Sequence, residues 1–297
     1  MNWSATPMKI SEILRTKAVT VSCELFPPKQ GGSLSNTREV VREIAGLRPS
    51  FMSVTYGAGG SNSRNTLSVA EAVRENGVPA LAHLTCVGQD RASLRASIEQ
   101  FKESGVENIL ALRGDIPAGQ TAPEVFPHAS DLIREIREAG DFCIGGACYP
   151  EGHPESRNSA DDIEGVRRKV ESGCEFLTTQ MFFDNNILYS YMFRLLKNGI
   201  DVPVAAGIMP VTNAKQIGRI IGLSNTVLPP RFRAIVDRFA DNPAAMRQAG
   251  IAYATEQIID LIANGVTHIH IYTMNRPDIA GKIMENLSEI VHSDAAE

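Results

Sequence analysis

The chain contains no C-x-x-C pair, and its five cysteines (Cys23, Cys86, Cys143, Cys148 and Cys174) are odd in number. Neither a disulfide framework nor a zinc ribbon is indicated, and thiols in or beside apolar runs act as small hydrophobes in a reduced protein. No stretch approaches the roughly 18 apolar residues a membrane helix needs, and the opening MNWSATPMKISEILR has no apolar signal core. A soluble, cytoplasmic protein is expected. Basic excess is missing as well. The net charge of −5 gives no general attraction to nucleic acid or acidic membranes, so an anionic ligand needs a local group of Arg and Lys. Neither G-x-G-x-x-G nor a Walker A lysine pattern occurs, which argues against a Rossmann dinucleotide site.

Eight β-type runs, each followed by a helical pattern, cross the chain at Val19–Phe26, Phe51–Tyr56, Pro79–Cys86, Asn108–Gly114, Phe142–Tyr149, Phe176–Phe183, Val202–Met209 and His268–Met274. Up to the seventh, their starts recur every 26 to 34 residues, the rhythm of βα units. Runs such as NILALRG and VPVAAGIMP are apolar on both faces, which suits a parallel sheet covered by helices. With 297 residues and 43% hydrophobic composition, one (β/α)8 barrel domain spanning 1–297 with extra helices is expected. A short helical segment over 8–16 precedes it, and the polar tail 291–297 frays. Helices are expected at Ser93–Gly105, Ser159–Gly173, Asn213–Gly222 and Pro243–Asn264, with SNTVLPPRFR as a loop between the last two. No lysine falls inside an expected strand, so a Schiff-base mechanism is disfavoured.

The unusual polar residues gather where strands end: Glu24, Thr55, His83, Arg113, Asp115, Tyr149, Gln180 and Arg276. That rim is where loops converge over the mouth of a barrel. Glu24 lies inside the apolar run VSCELF, where a carboxyl needs a partner, solvent or a proton. It reads either as a structural ion pair with a neighbouring strand or as a general acid whose charged form burial disfavours. In LRGDIP, Asp115 offers a fixed negative charge and Arg113 a site for an anion, although a surface turn has the same appearance. Glycines at Gly57–Gly60 and at Gly145 and Gly146 let backbone approach a ligand closely. YPEGH, with Arg167, Arg168 and Lys169 downstream, reads as a solvated helix face or, beside a barrel mouth, as a diphosphate site. His268 and His270 share one strand face, but two histidines need further ligands to hold a metal, and no acid with matching spacing accompanies them.

Taken together, VSCELFPPK, SVTYGAGG, AHLTC, LRGD, YPEGHPE, TTQMFFD, GIMPVTN and IYTMNR resemble the methylenetetrahydrofolate reductases, in family order from Val19 to Arg276. The resemblance implies an FAD-containing (β/α)8 barrel, short and bacterial in form. It implies that NADH or NADPH and methylenetetrahydrofolate share one site in ping-pong order, and that the enzyme is a homo-oligomer without metal. Glu24 then matches the acid that protonates the folate and opens its imidazolidine ring. Asp115 matches the carboxylate that stabilises the resulting cation. Gln180, Gln216 and Arg276 match folate contacts, and Thr55 one near the nicotinamide. For FAD the matching positions are Tyr56, Ala58, His83, Arg113, Gly114, Asp115, Ala129, Tyr149, His153, Asp162, Arg168 and Lys169.

Departures from the family pattern are Ser156 and Gly165, where relatives contact FAD through other side chains, and Ile220, near a substrate-stacking phenylalanine of a relative. An aliphatic side chain does not stack as a ring does. Two other readings stand beside this one. A metal-dependent barrel hydrolase using His268 and His270 predicts bound metal and a colourless protein. A ligand-binding subunit predicts binding without electron transfer.

Overall fold

The computed structural model describes residues 9–28, 33–56, 63–116, 119, 125–224 and 226–292. The strands are β1 (Thr20–Leu25), β2 (Met52–Val54), β3 (Ala80–Thr85), β4 (Asn108–Leu112), β5 (Cys143–Cys148), β6 (Phe176–Thr179), β7 (Val204–Ile208) and β8 (His268–Tyr272). They form a closed barrel in chain order. Every neighbouring pair is parallel, and closure comes from β1 on β8, with Thr20 opposite His268 and Glu24 opposite Tyr272. The helices begin with α1 (Ile10–Thr16), α2 (Leu34–Ala45), α3 (Ser63–Glu75), α4 (Arg91–Glu103), α5 (Ala129–Ala139) and α6 (Ser159–Glu171). They continue with α7 (Asn185–Lys197), α8 (Lys215–Ser224), α9 (Pro230–Phe239), α10 (Pro243–Ala263), α11 (Pro277–Asn286) and α12 (Ser288–His292). Among the described residues no helix is long and apolar enough to cross a membrane.

All eight expected strands are present, each trimmed at one or both ends. The largest difference is the sixth. Beyond Thr179 the chain leaves the ladder, and Phe182 and Phe183 are buried against helices rather than in the sheet. Helix α4 starts at Arg91 rather than Ser93, because Asp90 is the cap and accepts the Ser93 N–H. Helix α8 starts at Lys215, where the Asn213 side chain accepts the Lys215 N–H. The stretch SNTVLPPRFR is not all loop: Pro230 opens α9, a position where its missing N–H costs nothing. Helix α12 runs to His292, two residues into the expected fraying tail, and the rest of that tail is outside the described residues.

Helix α1 plugs the N-terminal end of the barrel. Its Ile10, Ile13 and Leu14 pack on Phe51, Leu81, Leu110, Cys143 and Phe176. The Asn108 side chain accepts the Ile10 N–H at 2.8 Å, and Ser11 Oγ donates to Glu175 at 2.6 Å. Gly145 and Gly146 are residues of β5, inside the expected run Phe142–Tyr149. A Cβ at Gly145 would strike the Phe176 ring, so the glycine makes room for this floor. Alternation then places Ser53 above Phe51, His83 above Leu81 and Thr178 above Phe176 on the inward face. The floor is apolar, and the polar layer faces the C-terminal mouth.

Candidate active site

The polar layer is centred on Glu24, which is 7% exposed. Its Oε2 stands 3.8 Å from His83 Nε2 and 3.8 Å from His270 Nε2. Ser22 Oγ donates to the Ile269 carbonyl at 3.0 Å and faces His270 Nδ1 at 2.8 Å, while Ser53 Oγ faces His270 Nε2 at 3.2 Å. Both nitrogens of His270 are thus engaged by serine hydroxyls. Burial, more than any neighbour, pushes the His83 imidazole down to about 4, with Glu24 opposing and His270 adding to the shift. His83 is therefore neutral near pH 7, and its buried Nε2 has no hydrogen-bond partner among the described residues. Tyr272 Oη donates to the Thr179 carbonyl at 2.5 Å, closing this layer on the β8 side. Gly207 is required beside it, because a Cβ there would meet the Thr179 carbonyl and the Tyr272 ring.

Beyond the strand ends lies a cavity of ≈ 620 Å³. It is lined by Tyr56, Arg113, Gly114, Asp115, Ala129, Tyr149, His153, Asp162, Arg168 and Lys169, ten of the positions expected from sequence to hold a cofactor. Thr55 and His83 are not part of that lining. Thr55 follows β2, its carbonyl accepting from Thr66 Oγ1 at 3.0 Å, and His83 sits deeper beside Glu24. Ala58 and the Gly57–Gly60 cluster lie outside the described residues. Ser156 and Gly165 also face the cavity, with nothing within 4 Å of a Cβ placed on Gly165.

Local structure explains the arrangement. Gly114 adopts φ +89°, which favours glycine, and a Cβ there would lie 2.5 Å from Val87 Cγ1. Asp162 shapes the YPEGH turn by accepting the His153 N–H at 3.0 Å. Lys169 Nζ donates to the Ala147 carbonyl at 2.7 Å, and burial lowers its proton affinity. Burial, reinforced by Asp115, pushes the Tyr149 hydroxyl up to about 12. Arg113 is not an open anion site. Its guanidinium is gripped by Glu155 through two bonds of 2.7 and 2.6 Å, and its Nε donates to the Gly114 carbonyl.

None of the three residues expected to touch folate, Gln180, Gln216 and Arg276, lines that cavity. Gln180 follows β6, and its Oε1 accepts the Met181 N–H. Gln216 is exposed on α8. Arg276 precedes α11 and is held by Asp278 at 3.1 and 3.0 Å. Ile220 is half-buried beside the Phe183, Val211 and Phe232 cluster. Sequence reasoning missed Ser22, Ser53, Tyr272 and Glu155. The first two were within reach, since each stands two residues before a named site residue and so shares its face of the strand. His270 was noticed only as half of a metal pair. Among the described residues no group of three or more His, Cys, Asp or Glu is arranged to hold a metal ion.

The family model described as methylenetetrahydrofolate reductase matches residues 9–288. A 5,10-methylenetetrahydrofolate reductase of Pectobacterium carotovorum is 33% identical over 270 residues, covering 91% of this chain and 90% of that one. A methylenetetrahydrofolate reductase (NADH) of Zea mays is 34% identical over 301 residues, 96% of this chain and 51% of that one. Among solved structures, a Clostridium thermocellum protein described as binding two copies of 5-methyl-5,6,7,8-tetrahydrofolic acid superposes with a TM-score of 0.65. At 13% identity over 96% of this chain and 100% of that one, the likeness is one of fold.

Proposed function

The chain belongs to the methylenetetrahydrofolate reductase family, and from that premise we propose that it reduces 5,10-methylenetetrahydrofolate to 5-methyltetrahydrofolate with NADH or NADPH, through bound FAD and in ping-pong order. The reaction belongs to the one-carbon metabolism that supplies methionine. One observation carries the reading: the barrel has a buried carboxyl, Glu24, facing two imidazoles at the same end as a ≈ 620 Å³ cavity edged by Arg168 and Lys169.

The cavity suits a dinucleotide cofactor. Lys169 is a partly desolvated cation whose charge an anion stabilises, and Arg168 lines the same cavity. Tyr56 and Tyr149 offer aromatic surface to a flat ring system, and Gly114 keeps the β4 loop close-packed against Val87. FAD, when bound, supplies the two-electron relay between nicotinamide and folate. The chain's own residues do the rest. Glu24 delivers the proton that opens the folate's imidazolidine ring, from a buried position 3.8 Å from both His83 and His270. Asp115, exposed at the end of β4, faces the developing cation with a negative charge. Gln180, Gln216 and Arg276 orient the folate around the mouth, and Thr55 meets the nicotinamide. Phe193 and Leu196, each 66% exposed and one turn apart on α7, support a homo-oligomer.

The test is the flavin spectrum of the FAD-reconstituted protein, followed without oxygen as NADH or NADPH and then methylenetetrahydrofolate are added. Bleaching by the nicotinamide and return of the oxidised band with folate are expected. No flavin band would overturn the cofactor assignment. Bleaching without return would remove the folate half-reaction.

A further inference from the structure

The grip of Glu155 on Arg113 has a consequence for how the cavity takes an anion. We propose that Glu155 is a displaceable counter-ion: its carboxylate occupies the Arg113 fork that a cofactor diphosphate needs, so the two compete and Glu155 sets how tightly the dinucleotide is held. This rests on the flavin reading above and deepens it.

The charges of the described lining make competition necessary. Arg113, Arg168 and Lys169 face Asp115, Glu155, Asp161 and Asp162, three cations against four carboxylates. A diphosphate entering a lining with that balance meets repulsion unless a carboxylate withdraws. Two of the four are committed to structure. Asp162 is buried and accepts the His153 N–H, and Asp161 pairs with Arg157 at 3.0 Å. Asp115 makes no ion pair with a cavity cation among the described residues, so its withdrawal uncovers none. Glu155 alone engages one in a paired fork, at 2.7 and 2.6 Å.

The two partners differ in freedom. The Arg113 side chain is 15% exposed and anchored by its Nε to the Gly114 carbonyl, so it stays in place. The Glu155 side chain is 52% exposed, so rotating it into water costs little desolvation. Its backbone is held separately, because its N–H donates to His153 Nδ1 at 3.1 Å. Rotation of one side chain therefore exposes a planar, two-pronged anion receptor without moving the loop.

The experiment is a fluorescence titration of FAD into the apoprotein of the full chain, for the native protein, Glu155→Gln, Arg113→Gln and the double variant. Glu155→Gln is expected to tighten FAD binding by about five-fold, the scale of a half-exposed ion pair. That gain is expected to vanish in the Arg113→Gln background, because there is no fork left to release. Glu155→Ala, checked for native circular dichroism, is expected to move in the same direction. Unchanged or weaker binding in both Glu155 variants would overturn the proposal and show that the pair prearranges Arg113 instead. An equal gain in both Arg113 backgrounds would also overturn it, since Glu155 would then act as a general negative charge. Failure of the native protein to bind FAD at all would overturn the flavin reading and this proposal together.

Discussion

His270 and Ser22 share a 2.8 Å bond whose direction is set from outside the pair. Ser22 Oγ spends its only proton on the Ile269 carbonyl, so it meets His270 Nδ1 with a lone pair and requires a proton there. In a neutral ring, His270 Nε2 is then an acceptor, facing the Ser53 hydroxyl and, at 3.8 Å, Glu24. A backbone carbonyl thus orients the imidazole against which Glu24 rests.

Removing the proton from that arrangement separates the two half-reactions. Glu24→Gln keeps the shape but carries no exchangeable carboxyl proton. Reduction of the folate by reduced enzyme is expected to fall by about 10²–10⁴-fold, the usual worth of a general acid. Reduction of the flavin by the nicotinamide is expected to stay near the native rate. Anaerobic stopped-flow measures each separately, and native folate reduction in the variant would strip Glu24 of its proposed role.

Ser22→Ala tests the orienting chain. It leaves the His270 Nδ1 proton without its acceptor in a buried site, at a cost of about 1–3 kcal/mol. The urea midpoint is expected to drop accordingly, with folate reduction slowed more than flavin reduction. A midpoint unchanged from the native protein would show that His270 finds another partner.

His83 gives the barrel a dependence on acidity. Burial holds its imidazole down at about 4, against 6.5 for the ordinary group. Between these values the unfolded chain takes up a proton that the folded chain refuses. Stability from this residue is complete above about pH 6.5 and declines as the pH falls toward 4, by at most about 3 kcal/mol. Urea midpoints for the native protein and His83→Gln at pH 7 and pH 4.5 measure it. The native protein is expected to lose more on acidification, and equal losses would place the titrating group elsewhere.

The barrel was legible because each strand is an apolar run followed by a helical pattern. Glu24 was legible because a carboxyl in such a run is conspicuous. The polar layer around it was not, since Ser22 and Ser53 are ordinary strand residues until the barrel turns them inward toward His270. Helix α9 was hidden by Pro229 and Pro230, which read as a loop although the second is a favoured first helical residue. Gly145 misled in the opposite direction, because space for Phe176 and backbone room for a ligand call for the same residue. Glu155 was invisible because its importance lies in contact with Arg113, forty-two residues earlier in the chain.

Gly207→Ala probes the β8 wall of the site. The added methyl would meet the Thr179 carbonyl and the Tyr272 ring, which is tied to that carbonyl by its hydroxyl, so one of them must shift. Overpacking of this kind costs about 1–3 kcal/mol, so a clear fall in melting temperature is expected. A native melting temperature would mean that Tyr272 moves freely, and its bond to Thr179 would then be incidental.

Asp278 holds Arg276 from two sides of its carboxylate, accepting from Nε at 3.1 Å and Nη2 at 3.0 Å, and also accepts from Arg247 at 2.6 Å. These guanidinium groups, Arg276 first, keep the Asp278 carboxyl below its ordinary range. The cluster sits where β8 gives way to α11, on the rim where Arg276 is proposed to contact folate. Asp278→Ala frees a long, half-exposed side chain, which must then be ordered each time substrate binds. The folate KM is expected to rise by about three- to ten-fold, with kcat and flavin reduction little changed. Stability is expected to shift by less than about 1 kcal/mol, because the ion pairs are solvent-exposed. Steady-state kinetics with each substrate varied in turn would decide the matter. A rise in the nicotinamide KM alone would move Arg276 to the other half-reaction, and no change in either would remove it from the binding rim.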